Sequence, residues 1–273
     1  MQIIEQTIVP KSHDRKSEDG IVATNDFIAV IDGSTSKTAR RYSRTDSNGR
    51  YAMRLVAKFI EAMPADITCH RCCVGLTAAV AKAYSSRNIL TSLWQHREQP
   101  IPAPADRLAA SAVIFSRLRR QIWMIGDCLC MVNGEPFDNS KPYEAVLAAR
   151  RADIISRSTD QTAFLTNDTA RQTIIPEMTR IMNEQQNVKY AVIDGTRIPE
   201  EHVRILTLDF QPKEIVLATD GYPFLHPTLE ASEAALARQL ADDPLNIGTF
   251  QATKGCMKGN QSFDDRAYIR FKV

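Results

Sequence analysis

The sequence predicts an α+β fold in which antiparallel sheets are covered by helices. The first observation behind this prediction is the order of the elements, because groups of strand-like segments are separated by pairs of helical patterns. Elements that cluster by type favour antiparallel sheets, whereas strict alternation of strand and helix would favour a doubly wound parallel sheet. The second observation is that the 273 residues contain no convincing linker, so we predict a single domain over residues 1–273.

The composition excludes several classes of protein. With 44% hydrophobic and 24% charged residues it is typical of a soluble globular protein, and a net charge of +2 gives no reason to expect a nucleic acid or an acidic membrane as partner. No apolar run approaches the roughly 20 residues that span a bilayer, and the N-terminus lacks the pattern of a signal peptide. We therefore predict a cytoplasmic protein whose six cysteines are reduced.

The first elements are two strands and two helices. Strands are predicted at 2–9 and 26–32. The first helix is indicated by apolar residues at helical spacing and is ended by Pro64. Its apolar residues are Leu55, Val56, Phe59, Ile60 and Met63. The second helix is predicted from about Val74 to Trp94.

The second part of the chain begins with three closely spaced strands that predict an antiparallel meander. These strands are 108–116, 120–126 and 128–133, and Asn133-Gly134 is a hairpin-turn signal. Helices are predicted at 142–157 and 168–185, with Pro176 expected to kink or break the second one. The remaining predicted elements are strands at 189–194, 203–209 and 214–219, a helix at 229–241 and a last strand at 266–272.

Acidic residues lie at the ends of these strand-like runs. Asp32, Asp127 and Asp220 each end an apolar run, while Glu18-Asp19 and Asp264-Asp265 each precede one. Strands that share a sheet can bring such carboxylates together. A cluster of carboxylates without counter-charge is unfavourable, because like charges repel and burial adds to the cost. Oxygen ligands suit hard cations, so the pattern predicts a site for Mg²⁺ or Mn²⁺.

In this order, the acidic motifs resemble those of the metal-dependent (type 2C) serine/threonine protein phosphatases, and the chain looks like a divergent, bacterial-like member. The matching pieces are Glu18-Asp19, Val30-Ile-Asp32-Gly33, Ala109-Ala-Ser-Ala112, Ile125-Gly-Asp127, Leu217-Ala-Thr-Asp220-Gly221 and Ser262-Phe-Asp264-Asp265. They span nearly the whole chain. The resemblance implies a four-layer α-β-β-α sandwich, in which two central antiparallel sheets are flanked by helix pairs.

The resemblance also implies a centre of two Mn²⁺ or Mg²⁺ ions between the sheets. Asp32 would bridge both ions. Glu18 and the carbonyl of Gly33 would serve one ion, while Asp220 and Asp264 would serve the other. Gly33, like the glycine that follows Asp220, is expected to let the backbone turn sharply beside the ions.

Three further positions follow from the resemblance. Asp19 would hold a metal-bound water, and Asp127 would correspond to a ligand of a third, weaker ion. Members place a phosphate-binding arginine four residues before the glutamate, where this chain has Asp14, so Arg15 is the candidate for that role. Members often have a histidine after the first Asp-Gly, where this chain has Ser34.

The function implied by the resemblance is hydrolysis of phosphoserine or phosphothreonine in a protein substrate. Two cations can share a water, lower its pKa and aim it at phosphorus, so that no covalent phosphoenzyme is needed. The missing histidine and the displaced arginine motivate an alternative, a pseudophosphatase that acts as a phosphoprotein-binding or regulatory module. A metal-dependent phosphatase of small phosphorylated metabolites is the third possibility.

Two other motifs have simpler interpretations. Cys69, Cys72 and Cys73 resemble part of a zinc site, but no second Cys/His pair has suitable spacing, so we predict thiols that pack inside. Tyr190-Ala-Val-Ile-Asp194-Gly195 nearly repeats the segment that ends at Gly33. No acidic pair precedes it at short distance, so Asp194-Gly195 is interpreted as a hairpin turn.

Overall fold

The computed structural model describes residues 1–85 and 101–273, apart from the side chain of Ser85. The strands in these residues are β1 (Gln2–Val9), β2 (Gly20–Ala23), β3 (Phe27–Gly33), β4 (Ala110–Ser116), β5 (Gln121–Ile125), β6 (Leu129–Val132), β7 (Glu135–Phe137), β8 (Arg204–Thr207), β9 (Glu214–Ala218) and β10 (Arg266–Lys272). The α-helices are α1 (Asn48–Ala62), α2 (Cys69–Ser85), α3 (Glu144–Ser156), α4 (Thr169–Gln185) and α5 (Leu229–Asp242). Short 3₁₀ helices lie at Pro104–Asp106, Thr162–Leu165 and Glu200–His202.

The strands form two five-stranded sheets, and every strand pairing among the described residues is antiparallel. One sheet has the order β1-β10-β9-β6-β7 and the other has the order β2-β3-β4-β5-β8. The predicted α+β class with two central antiparallel sheets is therefore confirmed.

The central strands are buried on both faces, which explains their continuous apolar runs. In β3, Ile28 and Val30 pack between the sheets against residues such as Phe271. Phe27, Ala29 and Ile31 point the other way, into a core that they share with α1 and α2. On the far side, the outer face of the β10-β9-β6 sheet packs against the start of α5 through Leu229. Helices α3 and α4 pack mainly on each other and on the 3₁₀ helix at Pro104–Asp106.

The predicted meander is wrong, because the chain changes sheets after β5. β4 and β5 pair with each other in one sheet, but β6 pairs with β7 and β9 in the other. Gly126 makes the change possible. It has a φ of +86°, and a Cβ there would lie 2.2 Å from the hydroxyl of Ser111. The predicted turn at Asn133-Gly134 is present between β6 and β7, and both residues have positive φ.

Other differences are local. β2 and β7 were not predicted, and 189–194 makes only isolated bridges instead of a strand. Asp194 is not in a hairpin turn but is a buried carboxylate that pairs with Arg107 at 2.8 Å. Helix α4 continues through Pro176, because the residue whose carbonyl loses its partner, Gln172, is exposed to water.

The second helix begins earlier than predicted, at Cys69, and its predicted extension from residue 86 to Trp94 lies outside the described residues. Its three cysteines are buried, as predicted for packed thiols. Among the helices that the structure describes, none is long and apolar enough to cross a membrane.

Candidate metal centre

The acidic residues meet because of the antiparallel pairing. Asp32 lies near the end of β3, and Asp127 and Asp220 follow the ends of β5 and β9. In antiparallel sheets the start of one strand adjoins the end of its neighbour. Gly20 pairs with Ile31, which places Asp19 beside Asp32, and Tyr268 pairs with Ala218, which brings the residues before β10 towards Asp220.

Three carboxylates form the centre of this arrangement. Asp32, Asp127 and Asp220 each offer an oxygen, and these oxygens all lie within 4.8 Å of one another. They line a cavity of about 370 Å³. Asp127 is buried, whereas Asp32 and Asp220 are half-buried and accessible from the cavity. A ligand entering the cavity can therefore reach all three side chains.

The three carboxylates differ in how unfavourable it is for each to be ionised. Burial, followed by repulsion from Asp220, raises the pKa of Asp32 well above its usual value. Burial and repulsion from Asp127 raise the pKa of Asp220. Burial also opposes ionisation of Asp127, but the ammonium of Lys141 at 2.5 Å and the hydroxyl of Ser111 at 2.6 Å hold its pKa below the usual value. Without a cation, Asp32 and Asp220 thus resist being charged together.

Asp19 adds a fourth carboxylate to this wall of the cavity. It is only 3% exposed, and within residues 1–85 and 101–273 its Oδ2 finds no hydrogen-bond partner. Burial raises its pKa to about 8, although a hydrogen bond from Thr219 opposes the shift. A buried acceptor without a donor is expensive, and a cation would satisfy it.

The donor set fits a hard divalent cation. Mg²⁺ binds oxygen at about 2.1 Å, so that opposite ligands lie about 4.2 Å apart, and Mn²⁺ accepts the same ligand types. Adjacent ligands of an octahedral ion lie closer together, at about 3.0 Å, so the oxygens within 4.8 Å of one another would draw together onto a bound ion. Asp32, Asp127 and Asp220 are therefore the residues that would hold an ion, with Asp19 beside them.

Glu18 is placed differently from the expected ligand. It is buried, but Oε1 accepts a hydrogen bond from the hydroxyl of Ser47 at 2.5 Å and Oε2 accepts one from Thr35. The ammonium of Lys11 also lies 3.8 Å from Oε2. Both carboxylate oxygens thus have protein partners, and Glu18 is not part of the three-carboxylate group.

Gly33 and Gly221 serve close packing and not the sharp turns expected from the sequence, since neither has a positive φ. A Cβ on Gly33 would lie 2.2 Å from the carbonyl oxygen of Gly49, at the start of α1. A Cβ on Gly221 would lie 2.2 Å from the carbonyl oxygen of Asp265. Both glycines let neighbouring backbone approach the acidic residues, and Gly33 itself lines the cavity.

Asp264 and Asp265 have separate roles. Asp265 accepts hydrogen bonds from the backbone amides of Lys11 at 2.7 Å and Glu18 at 3.0 Å, so it fixes the N-terminal loop. Asp264 lines the cavity, where it forms an ion pair with Lys254 and lies 3.5 Å from the ammonium of Lys11. Asp264 therefore shares the cavity with Asp220, but cations of the protein occupy its oxygens.

Cationic residues in the cavity are the part of the site that the sequence analysis missed. Arg15 is exposed on the N-terminal loop and is not among the described residues that line the cavity, so its phosphate-binding role stays a prediction. The cations that line the cavity among the described residues are Lys37, Lys141, Arg171 and Lys254. Only Lys37 had a local signal, because it lies soon after Asp32-Gly33 on the same loop.

No family model and no curated protein matches the chain. Several solved structures match over nearly its whole length. The catalytic domain of the serine threonine protein phosphatase PstP, in complex with two manganese ions, is 14% identical, with a TM-score of 0.44 and coverage of 100% of both chains. The phosphatase Stp1 from Staphylococcus aureus is 14% identical, with a TM-score of 0.46, and the match covers 98% of this chain and 94% of that one.

PppA of Pseudomonas aeruginosa also matches, at 12% identity and a TM-score of 0.45, with 100% of both chains covered. PstP and Stp1 are serine/threonine phosphatases by name, like the family that the acidic motifs of this sequence resemble.

Proposed function

We propose that this protein is a divalent-metal-dependent phosphomonoester hydrolase that acts on phosphoserine and phosphothreonine in proteins. The observation that carries the proposal is the meeting of Asp32, Asp127 and Asp220 in a cavity that is also lined by cations. Carboxylates favour a hard divalent ion, and ammonium and guanidinium groups favour phosphoryl oxygens. Hydrolysis of a phosphomonoester uses both, because charge must be neutralised on phosphorus and water must be activated. The ordered acidic motifs of the sequence give independent support.

Each acidic residue has a role in this proposal. Asp32, Asp127 and Asp220 would hold a divalent ion, and Mn²⁺ or Mg²⁺ bound there would supply Lewis-acid activation of water and neutralise phosphoryl charge. Asp19 accepts a proton from the attacking water through Oδ2, which is buried and has no hydrogen-bond partner within residues 1–85 and 101–273. The water oxygen forms the new bond to phosphorus, the bond to the serine or threonine oxygen breaks, and that oxygen takes a proton from solvent.

The test is turnover of p-nitrophenyl phosphate by the purified protein. We expect turnover that requires Mn²⁺ or Mg²⁺, stops with EDTA and is lost in Asp32→Asn and Asp220→Asn, while the exposed Asp153→Asn retains it. Rates on phosphoserine and phosphothreonine peptides should exceed those on sugar phosphates. Absence of metal-dependent turnover on every phosphomonoester would contradict the proposal, and faster turnover of sugar phosphates would move the substrate class to metabolites.

A second candidate is a pseudophosphatase that binds phosphoproteins without hydrolysing them. The observation that favours it is that Lys141 and Lys254 pair with Asp127 and Asp264, so cations of the chain itself neutralise two of the expected ligands. Calorimetry with Mn²⁺ separates the two candidates. Metal binding with turnover favours the hydrolase, whereas phosphopeptide binding without metal binding or turnover favours the module.

A further inference from the structure

Two cations of the cavity have no acidic partner among the residues that the structure describes. The ammonium of Lys37 donates to the carbonyl of Thr35 at 2.6 Å, and Arg171 donates to the carbonyl of Thr253 at 2.5 Å and to its hydroxyl at 3.2 Å. Asp168 lies near Arg171, but its side chain is paired with the guanidinium of Arg151. Within residues 1–85 and 101–273, neither Lys37 nor Arg171 forms an ion pair.

The other two cations of the cavity are neutralised by the chain itself. Lys141 lies 2.5 Å from a carboxylate oxygen of Asp127, and Lys254 is paired with Asp264. All four cations line the same cavity, so the two paired lysines can be compared directly with Lys37 and Arg171. Lys141 and Lys254 balance acidic residues of the site, so the charges that remain for a ligand are those of Lys37 and Arg171.

These two charges are held close enough to repel each other. Both residues are half-buried, and burial together with repulsion from Arg171 and Lys254 lowers the pKa of Lys37 to about 7. Holding like charges together at partly desolvated positions is unfavourable unless an anion joins them. The two side chains come from different elements, the loop after β3 and the first turn of α4, so only the tertiary fold brings them to one cavity.

We propose that Lys37 and Arg171 bind the non-bridging oxygens of the phosphoryl group of the substrate. They would form the positively charged part of the cavity, whereas Asp32, Asp127 and Asp220 form its negatively charged part. The identity of the ligand rests on the proposed function. The guanidinium of Arg171 offers a planar fork for two oxygens, and Lys37 adds a point charge.

The pair also defines a class of substrate. A phosphomonoester carries a charge of about −1.5 to −2 at neutral pH, whereas a phosphodiester carries about −1. Two unpaired cations match the monoester. The site should therefore favour phosphomonoesters and inorganic phosphate over diesters of similar size.

Binding of inorganic phosphate tests this directly, by titration calorimetry on the whole protein with and without Mg²⁺. Lys37→Gln and Arg171→Gln should each weaken phosphate binding roughly ten- to hundredfold, the range for a hydrogen bond to a charged group. Matched controls are Lys58→Gln, on the exposed side of α1, and Arg180→Gln, on the exposed side of α4. Both controls should bind phosphate as the wild type does.

Arg171 also donates hydrogen bonds to Thr253, so Arg171→Gln could weaken phosphate binding by disturbing that loop. Arg171→Lys separates this effect from the loss of charge, because it keeps the charge and should recover part of the phosphate affinity. Lys37→Arg should recover it as well. With p-nitrophenyl phosphate, the glutamine variants should raise KM more than they lower kcat. Wild-type-like phosphate binding by both glutamine variants would overturn the inference, as would wild-type protein that binds no phosphate in either condition.

Failure of this inference is distinguishable from failure of the proposed function. If wild-type protein shows no metal-dependent turnover but Lys37→Gln and Arg171→Gln lose phosphate binding, the anion site stands and the hydrolase proposal fails. If turnover depends on metal but neither variant changes phosphate affinity or KM, the hydrolase proposal stands and the anion site is refuted.

Discussion

Replacing Asp32 by asparagine should have opposite effects on stability in the absence and presence of metal. The oxygens of Asp32 and Asp220 lie within 4.8 Å of each other. At an effective dielectric constant of about 20, two unit charges at that distance repel by about 3.5 kcal/mol. Asparagine has nearly the same shape but carries no charge. In EDTA, Asp32→Asn should therefore be more stable than the wild type, by an amount of the order of this repulsion.

The stabilisation should depend on pH with a definite sign. The pKa of Asp32 is raised in the folded protein, so above its unfolded value of about 3.8 the folded state binds more protons than the unfolded state. This contribution makes the wild type less stable as pH rises. The difference between Asp32→Asn and the wild type should be near zero at about pH 4 and should grow as pH rises through the raised pKa of Asp32.

Metal should reverse the order of stability. An ion at a thousand times its dissociation constant stabilises the protein that binds it by about 4.1 kcal/mol, which exceeds the repulsion that the variant relieves. Urea unfolding followed by tryptophan fluorescence, in EDTA and in saturating Mn²⁺, measures both effects, with the exposed Asp153→Asn as control. A variant less stable than the wild type in EDTA at pH 8 would refute the repulsion within the cluster. Equal Mn²⁺ stabilisation of variant and wild type would refute Asp32 as a ligand.

Three further predictions concern the stability of the fold around the site and the pH dependence of metal binding. Arg151→Met removes the guanidinium that donates to Oδ2 of the buried Asp168 and to the carbonyls of Leu245 and Ala252, so it should lower the free energy of unfolding by about 3–5 kcal/mol in urea titrations. The exposed Arg157→Met should stay within about 0.5 kcal/mol of the wild type. Phe271→Ala opens a cavity between the sheets beside Phe115 and should lower the free energy of unfolding by about 3–5 kcal/mol. The control Phe210→Ala changes a side chain that is 91% exposed and should lower it little. Equal losses of stability would contradict the position of Phe271 in the core. The pKa of Asp19 is raised to about 8 and that of Asp32 is also raised, so Mn²⁺ must displace protons when it binds. Its affinity, measured by calorimetry, should therefore rise between about pH 6 and pH 8, and binding should release protons. An affinity that does not depend on pH would contradict this.

The sequence predicted the acidic centre because the signal is local. Asp32, Asp127 and Asp220 each end a short apolar run that is typical of a buried strand, and antiparallel pairing then gathers strand ends at one edge. Which residues of β3 face which core could not be predicted from the sequence. The run Phe27–Ile31 is apolar throughout because both faces are buried, and no periodicity tells which face meets the other sheet.

The parts that sequence reasoning missed depend on tertiary contacts. Arg171 and Lys254 lie on a helix and a loop far from the acidic motifs, and nothing in their neighbourhood distinguishes them from surface cations. The change of sheet at Gly126 was missed because three closely spaced strands also fit a meander. Arg15 was chosen from its position in the chain, but the structure places it on an exposed loop.

Anomalous diffraction at the manganese edge from crystals soaked in Mn²⁺ tests the central claim most directly. We expect a peak between the carboxylates of Asp32, Asp127 and Asp220, with the ammonium of Lys141 either moved away from Asp127 or sharing that carboxylate with the ion. Crystals that show manganese elsewhere on the protein, or none among these three side chains at saturating Mn²⁺, would contradict it.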